Sequence, residues 1–158
     1  MNKQVTPEEA KKKILRYCAY QERSHLEVKN KLYSFGLFSS DVNEIISYLI
    51  TEGFLNEERF ARAFAGGKFR MKSWGRLRIV RELEARGLTR NCINLGLKEI
   101  GQEEYQTSLV RLLEKKYNQL REENLFVKRD KLATYAIWKG FEPERVWKTI
   151  KQLFPDQS

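Results

Sequence analysis

Three glycines at a near-constant interval constrain this chain more than any other feature. Gly36, Gly87 and Gly140 lie 51 and 53 residues apart, and each is followed by an apolar residue: Leu37, Leu88 and Phe141. Six positions on stand Val42, Ile93 and Val146; ten on, Ile46, Leu97 and Ile150; thirteen on, Leu49, Ile100 and Leu153. A glycine can end a helix by adopting a left-handed conformation, and apolar positions at helical spacing then mark the next helix. Three windows in register predict three copies of a three-helix unit, each leaning on its neighbours for burial. The boundaries read as 1–54, 55–101 and 102–158.

The helix starts agree with that register. Thr6-Pro7-Glu8-Glu9 and Ser24-His25-Leu26-Glu27 are capping boxes, and Pro7 suits a first helical position. Ser40 or Asp41 begins the third helix, and Asn56-Glu57-Glu58 the fourth, with a cap and two acids in its first turn. Leu26, Val28, Leu32 and Phe35 form one apolar stripe; Phe60, Ala61, Phe64 and Ala65 form another. Gly66-Gly67 weakens the interior of the fourth helix and predicts a bend or a close approach. Ser73-Trp74-Gly75 opens the fifth, Ile93, Leu97 and Ile100 mark the sixth, and the seventh spans about residues 102–121. Tyr135, Trp138 and Trp147 are expected to pack in the core of the last unit. Alternation of period two persists nowhere, so the fold class is all-α.

Charge is concentrated in the middle of the chain. Residues 68–90 hold eight basic and two acidic side chains, +6 of the chain's +9, and the pI is near 9.6. A local basic face points to a polyanion or an acidic surface as partner. Lys68, Arg70, Lys72, Arg76 and Arg90 have no acid three or four residues away within this stretch and are the leading contact candidates. Arg78 and Arg86 flank Glu82 at four residues, and Glu84 stands three from Arg81, so these arginines are partly neutralised, although Arg78 and Arg81 stay in the candidate set. Phe60 and Phe64 read as core and Trp74 as a staple between helices, while Phe69 is open to base stacking. Gly75 reads as a packing glycine, since no second glycine of a phosphate loop follows it. Lys128, Arg129 and Lys131, with Lys139, Arg145, Lys148 and Lys151 nearby, form a weaker second basic region.

Catalytic and metal chemistry find no support in the pattern. His25 is the sole histidine and sits in a helix's first turn; Cys18 and Cys92 stand apart, without the spacing of a metal site or a disulfide framework. Acid pairs such as Glu103-Glu104 occur at helix starts, where the helix dipole accounts for them. The N-terminus lacks the apolar core of a signal peptide, and no run approaches a membrane span. The expectation is a cytoplasmic, monomeric binding protein with no cofactor and no membrane partner.

Four stretches resemble the RecX regulatory proteins: Arg23-Ser24-x-x-Glu27-Val28-x-x-Lys31-Leu32-x-x-x-Gly36; Gly53 through Ala61; Trp74-Gly75-Arg76-x-Arg78-Ile79-x-x-Glu82-Leu83-x-x-x-Gly87; and Lys131-Leu132 through Lys139-Gly140-Phe141. Their order and spacing cover most of the chain. Glu57 stands where that family's pattern has aspartate, and residues 102–124 match it in little beyond helicity. The resemblance implies an elongated array of three three-helix repeats that is not an enzyme. It implies a negative regulator of the RecA recombinase in DNA repair, recombination and the SOS response. Such a regulator lies in the groove of the RecA–single-stranded DNA filament and suppresses filament growth, strand exchange and ATP hydrolysis. An independent DNA-binding helical protein and a protein–protein scaffold are the alternatives.

Overall fold

The computed structural model describes residues 5–156. Among these residues nine α-helices form and no strand: α1 (Pro7–Tyr20), α2 (His25–Ser34), α3 (Ser39–Thr51), α4 (Glu57–Lys72), α5 (Arg76–Ala85), α6 (Arg90–Leu97), α7 (Gln102–Gln119), α8 (Leu125–Trp138) and α9 (Pro143–Leu153). The all-α expectation holds, and the nine helices fall into three sets of three. The register glycines act as stops: Gly36, Gly87 and Gly140 have φ of 85°, 78° and 107°. Each donates its N–H to a carbonyl three residues back at 2.9 Å. The Leu88 and Phe141 N–H groups reach five residues back, to Leu83 and Ala136 at 3.2 Å, closing Schellman-type caps. Leu37, Leu88, Phe141, Val42, Ile93 and Val146 are all buried, so the positions nearest each glycine repeat best; Ile46, Leu97 and Leu153 are half-buried.

Three caps form where the sequence places them, while the third helix starts at Ser39, after Phe38, with no side-chain cap. Thr6 Oγ1 accepts from the Glu9 N–H at 3.2 Å, Ser24 Oγ from Glu27 at 3.1 Å and Asn56 Oδ1 from Arg59 at 2.9 Å. One expectation is corrected. Leu26 is 39 % exposed, because the second helix turns Val28 and Leu32 inward and leaves the first turn at the surface. Of the two readings of the glycine pair, the close approach holds: α4 runs through it, and Gly66 leaves room for the Arg70 side chain, whose Nη1 would stand 2.7 Å from a Cβ there.

The chain packs as two compact units, Met1–Ala63 with Leu83–Gly96, and Phe64–Glu82 with Leu97–Ser158. In the first, α1, α2 and α3 enclose Ala10, Ile14, Val28, Leu32, Val42, Ile45 and Leu49. His25 Nδ1 meets a Glu57 carboxylate oxygen at 2.8 Å, and Arg59 meets Glu22 at 2.5 Å, both at the rim of this core. In the second, α7, α8 and α9 pack on one another around Tyr105, Leu109, Leu113, Leu132, Phe141 and Ile150.

The second unit also holds a close backbone approach. The Gly75 N–H donates to the Lys139 carbonyl at 2.8 Å and the Leu77 N–H to the Gly140 carbonyl at 3.0 Å. The turn that ends α8 thus supplies acceptors for the first donors of α5, which would otherwise lack partners. A Cβ on Gly75 would stand 2.2 Å from the Gly140 carbonyl carbon, so the contact requires glycine. Gly75→Ala is expected to cost more than about 2 kcal/mol, because backbone has to move. Gly67→Ala, whose Cβ meets nothing within 4 Å, should stabilise by roughly 0.5–1 kcal/mol by helix propensity. Urea unfolding of the two variants checks both signs.

Candidate nucleic-acid interface

The central basic stretch is less free than its composition implies. Arg70 pairs with Glu104 at 3.2 Å and donates to the Glu99 carbonyl at 2.9 Å. Arg76 is held harder: its guanidinium pairs with Glu142 at 3.2 Å, donates to Gln102 Oε1 at 3.0 Å and lies 3.9 Å from the Tyr105 ring centre. Its side chain is 19 % exposed. Lys68 places its ammonium 5.2 Å from the Trp74 ring and 5.6 Å from Phe64. Arg78 lies 4.2 Å from Trp74 and 5.0 Å from Trp138. Arg86 pairs with Glu27 of α2 at 3.3 Å. Lys72, Arg81 and Arg90 remain exposed, without an ion pair among the described residues, and the expected Arg81–Glu84 contact is not made.

The second basic region is also re-sorted. Arg129 is a correction: it is buried, its guanidinium bonds the Asp156 carboxylate and the Phe154 carbonyl, and it ties α8 to the end of the chain rather than facing a partner. Lys131 pairs with Glu122 at 3.3 Å; the Asn124 N–H first, and then Lys131, lower the Glu122 carboxyl below its ordinary range. Lys128 sits 3.6 Å from the Tyr117 ring. The aromatics divide as well. Phe69 is 3 % exposed and packs 5.8 Å from Tyr105, so it is core and not a stacking surface. Trp74 meets Phe64 edge-on at 6.1 Å, as a staple does. Trp138 reverses its expectation: it is 62 % exposed.

Tyr105 organises the interior beneath these groups. Its hydroxyl donates to the Glu142 carboxylate and accepts the Arg76 backbone N–H at 3.0 Å. Burial, with the bond to Glu142, pushes the phenol well above its ordinary value. Arg145, 5.3 Å from the same ring, donates to Gln106 Oε1 at 2.9 Å.

Above this interior, the C-terminal half of α4, α7 and α8 form an open cavity of about 660 Å³. Lys72, Lys139, Arg111, Lys115 and Lys116 line it, with Arg70 and Glu104 paired to each other. The Lys139 ammonium donates to the Lys72 carbonyl; burial first, then the charges of Arg78 and Lys72, pull it below the ordinary lysine range. The three cations of α7 escape a sequence reading because they lie in a mixed-charge helix outside the basic run. Their spacing of four residues, Arg111 to Lys115, is the signal that could have found them.

No cluster of acids, histidine and cysteine able to hold a metal occurs among the described residues, nor is any helix there long and apolar enough to cross a membrane. Residues 56–97 match the family model of RecX, second three-helix domain. The chain is 27 % identical over 136 residues to the regulatory protein RecX of Lactococcus lactis subsp. cremoris strain SK11, covering 84 % of this chain and 51 % of that protein. It is 28 % identical over 141 residues to the regulatory protein RecX of Pelodictyon phaeoclathratiforme, covering 88 % and 85 % of the two chains. The chain thus spans about half the length of the Lactococcus relative and most of the other. The crystal structure of RecX from Lactobacillus salivarius superposes with a TM-score of 0.82 at 24 % identity, over 93 % of this chain and 96 % of that one, a likeness of fold. The resemblance read from the sequence is borne out.

Two predictions separate structural from free charge. Arg76→Ala should lower the unfolding free energy by about 1–2 kcal/mol, since it leaves the half-buried Glu142 carboxylate without its cation and uncovers the Tyr105 ring. Lys72→Ala should stay within about 0.5 kcal/mol of the parent. Chemical unfolding at neutral pH measures both. Tyr105 holds its proton in the folded state above the pH at which the unfolded phenol ionises, ordinarily 10.0. Its contribution is therefore complete below that pH and is lost as pH rises beyond it. Tyr105→Phe should show a smaller alkaline loss of stability than the parent in melts across that range.

Proposed function

We propose, with the RecX likeness as premise, that this chain is a negative regulator of a RecA-type recombinase. In this reading it binds the recombinase filament on single-stranded DNA and suppresses filament growth, strand exchange and ATP hydrolysis. It acts in the cytoplasm as a monomer and catalyses no reaction itself, with residues 1–54, 55–101 and 102–158 as its repeats. The observation that carries this reading is the coincidence of two features on one segment: residues 56–97 match the RecX second three-helix domain, and the same segment contains the +6 basic run. The regulatory names of the relatives support a binding role over a catalytic one.

Geometry narrows which charges serve that role. Arg70 and Arg76 are spent on Glu104 and Glu142, and Arg129 is buried. Lys72, Arg81 and Arg90 keep exposed, unpaired charge and are the proposed contacts within the basic run. Lys128 and Lys131 contribute less, being engaged with Tyr117 and Glu122.

The test is RecA's DNA-dependent ATP hydrolysis as the chain is titrated in. The rate should fall with the parent chain. The Arg81→Glu, Arg90→Glu variant should need about tenfold more protein for the same effect, because like charge then opposes binding. A hydrolysis rate indifferent to the parent chain contradicts the reading; equal inhibition by a folded variant removes these two arginines from it.

A further inference from the structure

The cavity of the second unit has a composition that the fold does not require. Once Arg70 and Glu104 are paired, Lys72, Arg111, Lys115, Lys116 and Lys139 face one concave space with no further acid lining it. Other acids of α7, Glu103 and Glu114, stay outside the lining. Crowded like charges raise the energy of the folded chain, and a polyanion relieves that cost by replacing the repulsion with attraction. Arg111 and Lys115 lie a helical turn apart on one face of α7, with Ser108 a turn further toward the N-terminus. That is a ladder of donors along the groove, suited to successive phosphates of an extended strand.

An aromatic platform adjoins the ladder. Tyr135 and Lys116 line both the basic cavity and a shallow apolar depression of about 540 Å³, which also holds Leu120, Val127 and Trp138. The Trp138 ring lies 6.3 Å from Tyr135 at 27°, with the Arg78 guanidinium 5.0 Å from it. Packed on these neighbours, the indole is still 62 % exposed. A fixed, water-exposed indole beside a cationic groove is the pairing used by proteins that hold single strands: phosphates in the groove, bases on the ring. Duplex bases are already stacked on one another and cannot use such a ring. An acidic peptide could satisfy the cations but leaves the indole without a planar partner.

We propose that this groove binds a single-stranded nucleic acid directly, with Arg111, Lys115 and Lys116 on the phosphates and a base laid on Trp138. The site does not need the recombinase, so it goes beyond the filament reading and stands or falls separately from it.

The test uses the full chain and a fluorescein-labelled oligothymidylate, with no recombinase present, read by fluorescence anisotropy. The parent chain should bind at low salt and release as salt rises, as counterion displacement requires. The Arg111→Glu, Lys115→Glu variant should bind about tenfold or more weakly. Trp138→Ala should bind roughly fivefold or more weakly, with Trp138→Phe close to the parent. Lys29→Glu, an exposed change in the first unit, should have no effect. All altered side chains are exposed, and circular dichroism confirms that the variants fold. Absence of binding by the parent at low salt overturns the proposal. So does equal affinity of the groove variants, or equal binding of duplex or of polyglutamate. RecA hydrolysis assayed beside it keeps the two readings apart: inhibition without strand binding sinks this proposal and leaves the regulator; strand binding without inhibition does the reverse.

Discussion

The contact between Gly75 and Gly140 holds the second unit in register. Two backbone hydrogen bonds, at 2.8 and 3.0 Å, join the start of α5 to the turn after α8, and a side chain at residue 75 would collide with the backbone it meets. Several neighbours take their places from this one approach. The residue before the contact is Trp74; three residues after it is Arg78, whose guanidinium lies between Trp74 and Trp138. Lys139, beside Gly140, is carried into the mouth of the basic cavity, where its ammonium bonds the Lys72 carbonyl. Below, Arg76 joins the Tyr105–Glu142 pair. A backbone contact of this kind is unforgiving, since an interior at crystal-like density cannot open for one methyl without loss elsewhere.

The same region explains how the positive charge is distributed. Arginine is suited to bind carboxylate, carbonyl and aromatic face together, and here it does so within the chain: Arg70, Arg76, Arg78, Arg86 and Arg129 are all engaged by intrachain partners. Lysine, a compact and strongly hydrated charge, is left in larger measure to the groove. The segment richest in charge is therefore not the segment richest in available charge. That distinction moves attention from the centre of the run toward Lys72 and the exposed face of α7.

Much of the fold is legible in local stretches of the chain. Glycine stops and capping boxes act over three to five residues, so they are written in contiguous sequence, and Gly36, Gly87, Gly140, Thr6, Ser24 and Asn56 all behave as their neighbours dictate. The fate of the arginines is not legible in that way. Arg70 finds Glu104 34 residues on, Arg129 finds Asp156 27 on, and Arg76 finds Glu142 66 on, none of them within any local window. The exposure of Trp138 is hidden for a related reason. A helical stripe of apolar residues says which face is apolar, but whether a neighbouring helix covers its last turn is a tertiary fact. The cations of α7 are easily overlooked because the helix also carries Glu103, Glu104 and Glu114, and its net charge disguises a face that is basic.

On this account the chain holds a bare single strand through the α7–α8 groove, while Lys72, Arg81 and Arg90 of the central run are left to meet the recombinase filament. Photocrosslinking tests this most directly. A bromouracil-substituted single strand, bound to the chain and irradiated, would be mapped by mass spectrometry to the peptide it joins. The adduct is expected at Trp138. An adduct at Trp74 or within the central basic run, with Trp138 untouched, would contradict the claim.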